Sequence, residues 1–327
     1  MFVTQNTYTV KALLPSGQVL NITNALIQLA WQEQADEIAG RATLNLAQVK
    51  TEFGYLHALL PLCTNILIFG NGEEVFHGLV WEWNYNSDTQ SQNIELTCYD
   101  PFIYAQNSDF YAYYPAGKST KDLISDICSK NGIPLRYEYD SITHAKIKCD
   151  PSPIADHILD ILKEAERKLP IAPVALYDKN TLVIRKKGAN KTVYSFAART
   201  SAISTSERLT LSGLVTKVSV LGKENKDGRR NIEATGLGKT QFGTLQRYVY
   251  HDGNDTLEKA NQDAQKILDD KGKPERLMTL TAPDVPMVRK GDQIEVSAGS
   301  LLGTFFVKGI SHNATARTMS MELEYTT

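Results

Sequence analysis

A mostly β fold of the α+β class is predicted, and three observations predict it. Segments alternating polar and apolar residues recur before residue 105 and again after residue 197. Two segments between them, and one near 257–268, repeat apolar residues at helical spacing instead. Gly, Asn and Pro punctuate the alternating segments where hairpins need them. The expected organisation is a β-barrel-like domain over 1–105, an inserted α+β domain carrying two helices over 106–196, and a second β-barrel-like domain with one helix over 197–327. Some strands after 197 are available to complete the first barrel.

In chain order, YTVKALL and GQVLNI flank a turn at Pro15-Ser16-Gly17. Ile27, Leu29 and Trp31 alternate in ALIQLAW, and Ala42, Leu44 and Leu46 alternate in GRATLNL. Residues 65–85 read as the clearest hairpin, turning at Gly70-Asn71-Gly72, where glycine and asparagine supply positive φ. Its second strand is expected to place Leu79, Trp81, Trp83 and Tyr85 on one face, and NIELTCY follows with Ile94, Leu96 and Cys98.

The pattern changes after Asp100-Pro101. Leu123, Ile124, Ile127 and Cys128 define a helix, opened by Ser119 with Asp122 and stopped by Gly132 and Pro134. Strand-like LRYEYD and AKIKCD come next. A second helix is expected from Ser152, with Pro153 at its first position and Ile154, Ile158, Ile161, Leu162 and Ala165 on one side. PVALYDKNTLVIRKK reads as a hairpin turning at Asp178-Lys179-Asn180.

LVTKVSVLG and RRNIEATG flank Lys226-Asp227-Gly228. Leu257, Ala260, Ala264, Ile267 and Leu268 form one helical stripe, started by Asp255 with Glu258 and ended by Gly272. RLMTLTAP, DQIEVSA and GTFFVKGI are strands. In the last segment Met319, Met321, Leu323 and Tyr325 alternate against Thr318, Ser320, Glu322 and Glu324. His312 is read as a residue at the bend before this final strand, with Asn313 taking a left-handed turn. Changing His312 is expected to affect folding or assembly rather than turnover.

The 327 residues suggest two or three domains with real cores. A net charge of −2 offers no basic field for nucleic acid or anionic lipid. No apolar run approaches the roughly 20 residues that span a bilayer. MFVTQNTYTV lacks a charged start followed by an apolar run, so no signal peptide is expected. Cys63, Cys98, Cys128 and Cys149 are scattered without a CxxC pair, and are expected as reduced, buried thiols.

No motif carries chemistry. AYYPAGKS (112–119) and EATGLGKT (233–240) mimic a phosphate-binding loop, but Ala112 and Glu233 stand where its first glycine belongs, and Pro115 removes a donor. His57, His77, His144, His157, His251 and His312 form no HExxH array; His144, Cys149 and His157 are the nearest to a metal-ligand cluster. Asp36-Glu37, Glu73-Glu74 and Asp269-Asp270 read as solvated acid pairs rather than glycosidase carboxylates. No Gly-x-Ser-x-Gly elbow occurs. Catalytic, cofactor and metal residues are therefore expected to be none. The aromatic groups 81–85 and FYAYYP (110–115) read as barrel core, as subunit interface, or as a sugar-stacking surface.

The order of parts carries a resemblance. Trp31 leading to GRATLNL, the VFHGLVWEW hairpin, CYDPFIYAQNSDF, SGLVTKVSVLG, LEKANQDAQKIL, VRKGDQIEV (288–296) and GISHNATARTMSMELE (309–324) stand in the order found in baseplate hub proteins. The chain resembles the hubs of contractile phage tails and phage-tail-like bacteriocin particles, in particular the PBSX- and diffocin-type and late control protein D-like hubs. The likeness spans the whole chain and implies a non-enzymatic homotrimer. Each subunit would bring two related β-domains, so that three chains present six modules and join a sixfold tail tube to a threefold spike. The implied partners are the central spike protein, the tail tube or a tube-initiator protein, and other baseplate proteins, with the 106–196 insert outside the ring. Nucleic-acid recognition and membrane insertion are not implied. Synthesis in a bacterial cytoplasm, incorporation into a virion or tail-like particle and release by lysis are. The alternatives are a peptidoglycan-binding module and a wall hydrolase.

Overall fold

A computed structural model describes residues 6–88, 91–251 and 256–326. The chain divides into two compact units, Met1–Ser206 with Thr279–Thr327, and Glu207–Met278. Strands dominate, as the period-two segments require, and the class is α+β and mostly β.

In the larger unit one antiparallel-rich sheet carries most strands. Its order runs Ser204–Thr210, Glu275–Pro283, Thr318–Tyr325, Leu301–Asn313, Leu26–Glu33, Arg41–Ala47, Gln92–Tyr99, Glu73–Ser87, Asn65–Gly70, Tyr8–Leu13 and Val19–Asn21. Gln293–Ala298 pairs with Leu301–Asn313 on one side and runs parallel to Tyr194–Ala197 on the other. Strands from the two ends of the chain thus share one sheet: Ile310, Ser311, His312 and Asn313 pair with Glu33, Gln32, Trp31 and Ala30. Leu29, Trp31, Leu44, Leu46, Ile66, Ile68, Ile94 and Leu96 pack the core beneath the stretch of sheet from Leu26–Glu33 to Val19–Asn21. Asn71 and Gly72 take the positive φ that the 65–85 hairpin turn predicts.

Two β-bulges redirect side chains that strict alternation would misplace. The register slips between Leu26 and Gln28, which turns Ile27 outward while Leu29 and Trp31 stay buried. It slips again between Val80 and Glu82. Trp81 therefore packs with Tyr99 and Tyr104 toward the core that holds Phe102, Ile124 and Ile158, whereas Tyr85 packs against the core that holds Leu46 and Ile94. The expectation that Trp81, Trp83 and Tyr85 share one face is corrected by that extra residue.

Residues 106–196 hold two helices as expected. Thr120–Lys130 begins at Ser119, whose hydroxyl accepts from Asp122 N at 3.1 Å, and Gly132 follows its end at φ 65°. The second helix is Ile154–Lys168, two residues later than Ser152. Ser152 and Pro153 remain in the strand Ile147–Pro153, paired with Phe110 and Asp109, and extended Pro153 caps the helix instead of opening it. Both helices bury their apolar stripes with Phe102, Tyr114 and Ile184. Leu135–Glu138, Thr181–Lys186 and Pro173–Asp178 form a three-stranded sheet, with Lys179 and Asn180 in the left-handed turn.

The smaller unit is one three-stranded sheet, Arg230–Leu237, Lys217–Glu224 and Gln246–Tyr250, under the helix Leu257–Lys271. Val218, Val220, Ala260, Ala264 and Leu268 make its core. The helix starts at Thr256, whose hydroxyl accepts from Lys259 N; Asp255, expected to start it, lies outside the described residues. Among the described residues no helix is long and apolar enough to cross a membrane.

Candidate functional site

The densest chemistry lies where VRKGDQIEV folds back on the start of the chain. Gly291, at φ 82°, makes the turn; a Cβ there would meet Val174 at 2.5 Å, so only glycine fits. The turn aims three charges inward. Arg289 donates from Nε and Nη2 to Glu33 Oε1, and from Nη1 to Asp178 Oδ1 at 3.2 Å. Lys290 donates its backbone N–H to Glu33 Oε2 and its ammonium to the carbonyls of Gln34 and Glu37. Asp292 accepts from Arg185 Nη2 at 2.7 Å and from Arg289 N at 2.9 Å. Asp100 accepts the backbone N–H groups of Gly40 and Phe102.

The electrostatics follow from burial. Burial works to raise the Glu33 carboxyl, but the Arg289 and Lys290 charges win and hold it below the ordinary range. Burial pushes Asp100 up to about 7, only partly offset by its two N–H donors. Burial likewise takes Lys290 down to about 8 against the pull of Glu33 and Asp100. The Arg289 guanidinium stays charged, since Glu33 and Asp178 outweigh its desolvation. A cavity of about 10 Å³, room for one water, lies among Trp31, Glu33, Asp100, Tyr177 and Arg289. It admits no substrate. Chemically the cluster is a lock: it ties the end of Leu26–Glu33, the 173–186 hairpin and the 288–293 turn through paired, fully hydrogen-bonded charges.

His312 belongs to a second interior group. It sits within the strand Leu301–Asn313, paired with Met319, and not at a bend. Its ring is fully buried and stacks on Trp31 at 3.8 Å between centroids. Nδ1 meets Asp284 Oδ1 at 2.6 Å, Nε2 donates to the Val288 carbonyl at 3.1 Å, and Tyr8 donates to the other Asp284 oxygen. The left-handed residue of the turn is Arg317 at φ 56°, while Asn313 stays in the strand and its Oδ1 accepts Ala316 N. The stacked ring and twin acceptors make His312 a cross-sheet strut.

A Thr–His–Glu chain appears in the insert that sequence reasoning missed. His144 Nε2 lies 2.9 Å from Thr120 Oγ1, and Nδ1 lies 2.9 Å from Glu164 Oε2. Thr120 is fully buried and its oxygen already accepts Ile142 N, so the hydroxyl fixes a loop rather than facing a cleft. Burial works to raise Glu164, but Lys168 and His144 bring it below its ordinary value. The three partners lie up to 44 positions apart, and no local spacing announces them. His144, Cys149 and His157 do not converge: Cys149 is in the insert core, and His157 turns to Ser152 and the Phe110 carbonyl.

The remaining candidates stay scattered. His57 stacks on Tyr85, His77 lies 4.0 Å from Glu74, and His251 meets Glu233 at 2.6 Å. In the first loop mimic Ala112 is strand and the helix waits until Thr120; in the second, strand runs to Leu237 and a short 3-10 turn follows. Asp36, Glu73, Asp269 and Asp270 are exposed. Cys98, Cys128 and Cys149 are buried, and burial raises each thiol, but Cys63 is exposed, because its left-handed turn before Asn65–Gly70 points it outward. FYAYYP divides by face: Tyr114 is buried, while Tyr111 and Tyr113 are bare.

Against this geometry the likenesses are specific. The profile of the YQBQ-like family matches residues 29–326. No curated protein matches the chain by sequence. Among solved structures, the 43 kDa tail protein of prophage MuSo2 from Shewanella oneidensis is similar over 98% of both chains, with TM-score 0.71 and 13% identity. A tail protein from Neisseria meningitidis MC58 is similar over 97% of this chain and 96% of its own, with TM-score 0.70 and 13% identity. The E. coli c3393 protein is a type VI secretion component described as resembling the T4 tail proteins gp27 and gp5. It is similar over 100% of this chain and 76% of its own, with TM-score 0.56 and 9% identity. At these identities the likeness establishes the fold.

Proposed function

The chain belongs to the YQBQ-like family, and from that premise we propose that it is a structural hub of a contractile tail or tail-like particle. The observation that carries the reading is end-to-end similarity to tail proteins, rather than similarity over one module. The interior supports it: Glu33, Lys290, Asp292, Asp284 and His312 are buried and hydrogen-bonded to distant parts of the chain, as fits a part that holds shape. In this reading the chain is not an enzyme. Three copies form a ring, the sixfold tail tube stacks on one side and the threefold spike on the other, and further baseplate proteins bind around it. The division into β-body 1–105, insert 106–196 and β-body 197–327 is part of the same proposal, with the insert outside the ring. A central spike as one neighbour is part of the same proposal.

The test is genetic and visual. Deleting the coding sequence from its host is expected to leave particles without assembled baseplates, and a tagged chain is expected at the tube end in electron micrographs. Normal particles from the deletion strain would refute the reading. Binding to purified peptidoglycan, or clearing in a zymogram, would favour the wall-binding or hydrolase alternatives.

A further inference from the structure

The sheet of the larger unit has a seam. Where the two ends of the chain meet, residues 310–313 pair with residues 30–33, four pairs in all. The joints on either side are longer: Leu301–Asn313 meets Thr318–Tyr325 over eight pairs, and Leu26–Glu33 meets Arg41–Ala47 over six. Apolar packing divides at the same line. The core that holds Val10, Leu44, Ile68 and Ile94 draws its buried members from residues 10–98. Among the described residues, the chain beyond 279 brings only the half-buried Met287 and Ala314 to it. Across the seam Ile294 pairs with Phe305, Val307 with Leu323 and Ile310 with Met321, and all six are buried.

What crosses the line is mostly polar. Glu33 takes Arg289 and the Lys290 N–H, and Asp284 takes Tyr8. Leu29 N donates to Thr315 Oγ1 at 2.9 Å, and Ala314 N donates to Leu29 O at 3.0 Å. The Trp31 and His312 rings stack between them. The ties from residues 284–292 to the insert are of the same kind, Arg289 to Asp178 and Asp292 to Arg185, beside one small apolar contact of Gly291 on Val174. Parting such a joint hands hydrogen-bonding and charged groups back to water, while unfolding either side also exposes an apolar core. Parting is therefore the cheaper event.

We propose that the larger unit opens along this seam as one step, with the strands on both sides still folded. Residues 284–292, which hold Asp284, Arg289 and Lys290, leave together with the C-terminal strands. The opened state bares the edge of Leu26–Glu33 from Ala30 to Glu33 and uncovers Trp31, so the seam is also where an unpaired strand edge becomes available. This opening is independent of the hub reading.

Native-state hydrogen exchange of the full chain tests it. The Lys290 and Ala314 N–H groups donate across the seam, to Glu33 Oε2 and Leu29 O. Both are expected to exchange through a common opening, about tenfold or more faster than amides within the Arg41–Ala47 and Thr318–Tyr325 ladders. A staple gives the second arm. The bond from Ala314 N to Leu29 O makes Ala30 and Asn313 a non-hydrogen-bonded pair, the close kind that a disulfide can bridge. Ala30→Cys with Asn313→Cys is built on Cys63→Ser, which removes the exposed native thiol. Oxidising it is expected to slow Lys290 exchange about tenfold against the reduced form, although Lys290 ties the far end of the seam, and to leave the Arg41–Ala47 ladder unchanged. Seam amides that exchange no faster than those ladders overturn the proposal. So does a staple that slows Ala314 alone or slows every ladder alike. The wild-type comparison decides the matter by itself if the stapled variant does not fold.

Discussion

The two compact units solve the problem of internal charge in opposite ways. Among the described residues, the buried charged side chains Glu33, Asp100, Asp284, Lys290 and Asp292 all belong to Met1–Ser206 with Thr279–Thr327. The unit Glu207–Met278 buries hydroxyls, Thr216 and Ser219, and keeps its ion pairs, such as Lys266 with Asp263, at the surface. A large core can desolvate ions and still net stability, because strands far apart in sequence supply all the partners. A core of a few valines, alanines and one leucine cannot, so it rests on apolar contact alone. The charged lock specifies which strands meet; the small core specifies only that a helix covers a sheet.

The sharpest way to break that contrast is to remove one member of the lock. Arg289→Met strands Glu33 as a buried anion and is expected to cost about 3–5 kcal/mol. Hydrogen exchange should show protection lost in Leu26–Glu33 and Leu301–Asn313 and retained in the helix Leu257–Lys271. Equal loss in both units would erase the distinction.

Acidity gives the next largest effect. The Asp100 carboxyl titrates near 7 folded against an ordinary 3.8. Below pH 4 both folded and unfolded chains hold the proton; between 4 and 7 the folded chain alone does, so stability falls as pH rises through that window. Lys290 acts higher: folded it releases its proton near 8, against an ordinary 10.5, so its contribution rises with pH between those values. Measured against Asp100→Asn, the wild type should lose up to about 4 kcal/mol between pH 4 and pH 7. A pH-independent difference between the two proteins would contradict the buried assignment.

Within the smaller unit, Leu268→Ala should cost about 2–3 kcal/mol and leave exchange in the larger unit untouched. At the bottom of the scale, Lys266→Ala should change stability by less than about 0.5 kcal/mol, as an exposed pair one helical turn apart. A larger loss in a denaturant titration would mean that surface charge matters in this unit after all.

Much of the fold was legible because period is local. Alternation in 41–47 and 318–325, the Ser119 cap, and the Asn71-Gly72 and Lys179-Asn180 turns depend on residues within a few positions of one another. The bulges at Ile27 and Trp81 were not legible, since one inserted residue inverts the faces without changing composition. Nor was the lock: Glu33 and Arg289 lie 256 positions apart, and each looks like an ordinary surface charge in its own window. VRKGDQIEV carried the one available hint, two cations before a glycine at the mouth of an alternating strand. His312 was misplaced for the same reason, because its partner Trp31 comes from the other end of the chain.

The thirteen-residue strand Leu301–Asn313 hydrogen-bonds to Gln293–Ala298 along its first part and to Leu26–Glu33 along its last, with a bulge between. Extended, it reaches about 40 Å as one unbroken backbone. A tug applied at either end is carried as tension through covalent bonds, while the ladders on both flanks resist it in shear, many at a time. Load along the chain would travel along this rail before it strained any side-chain contact.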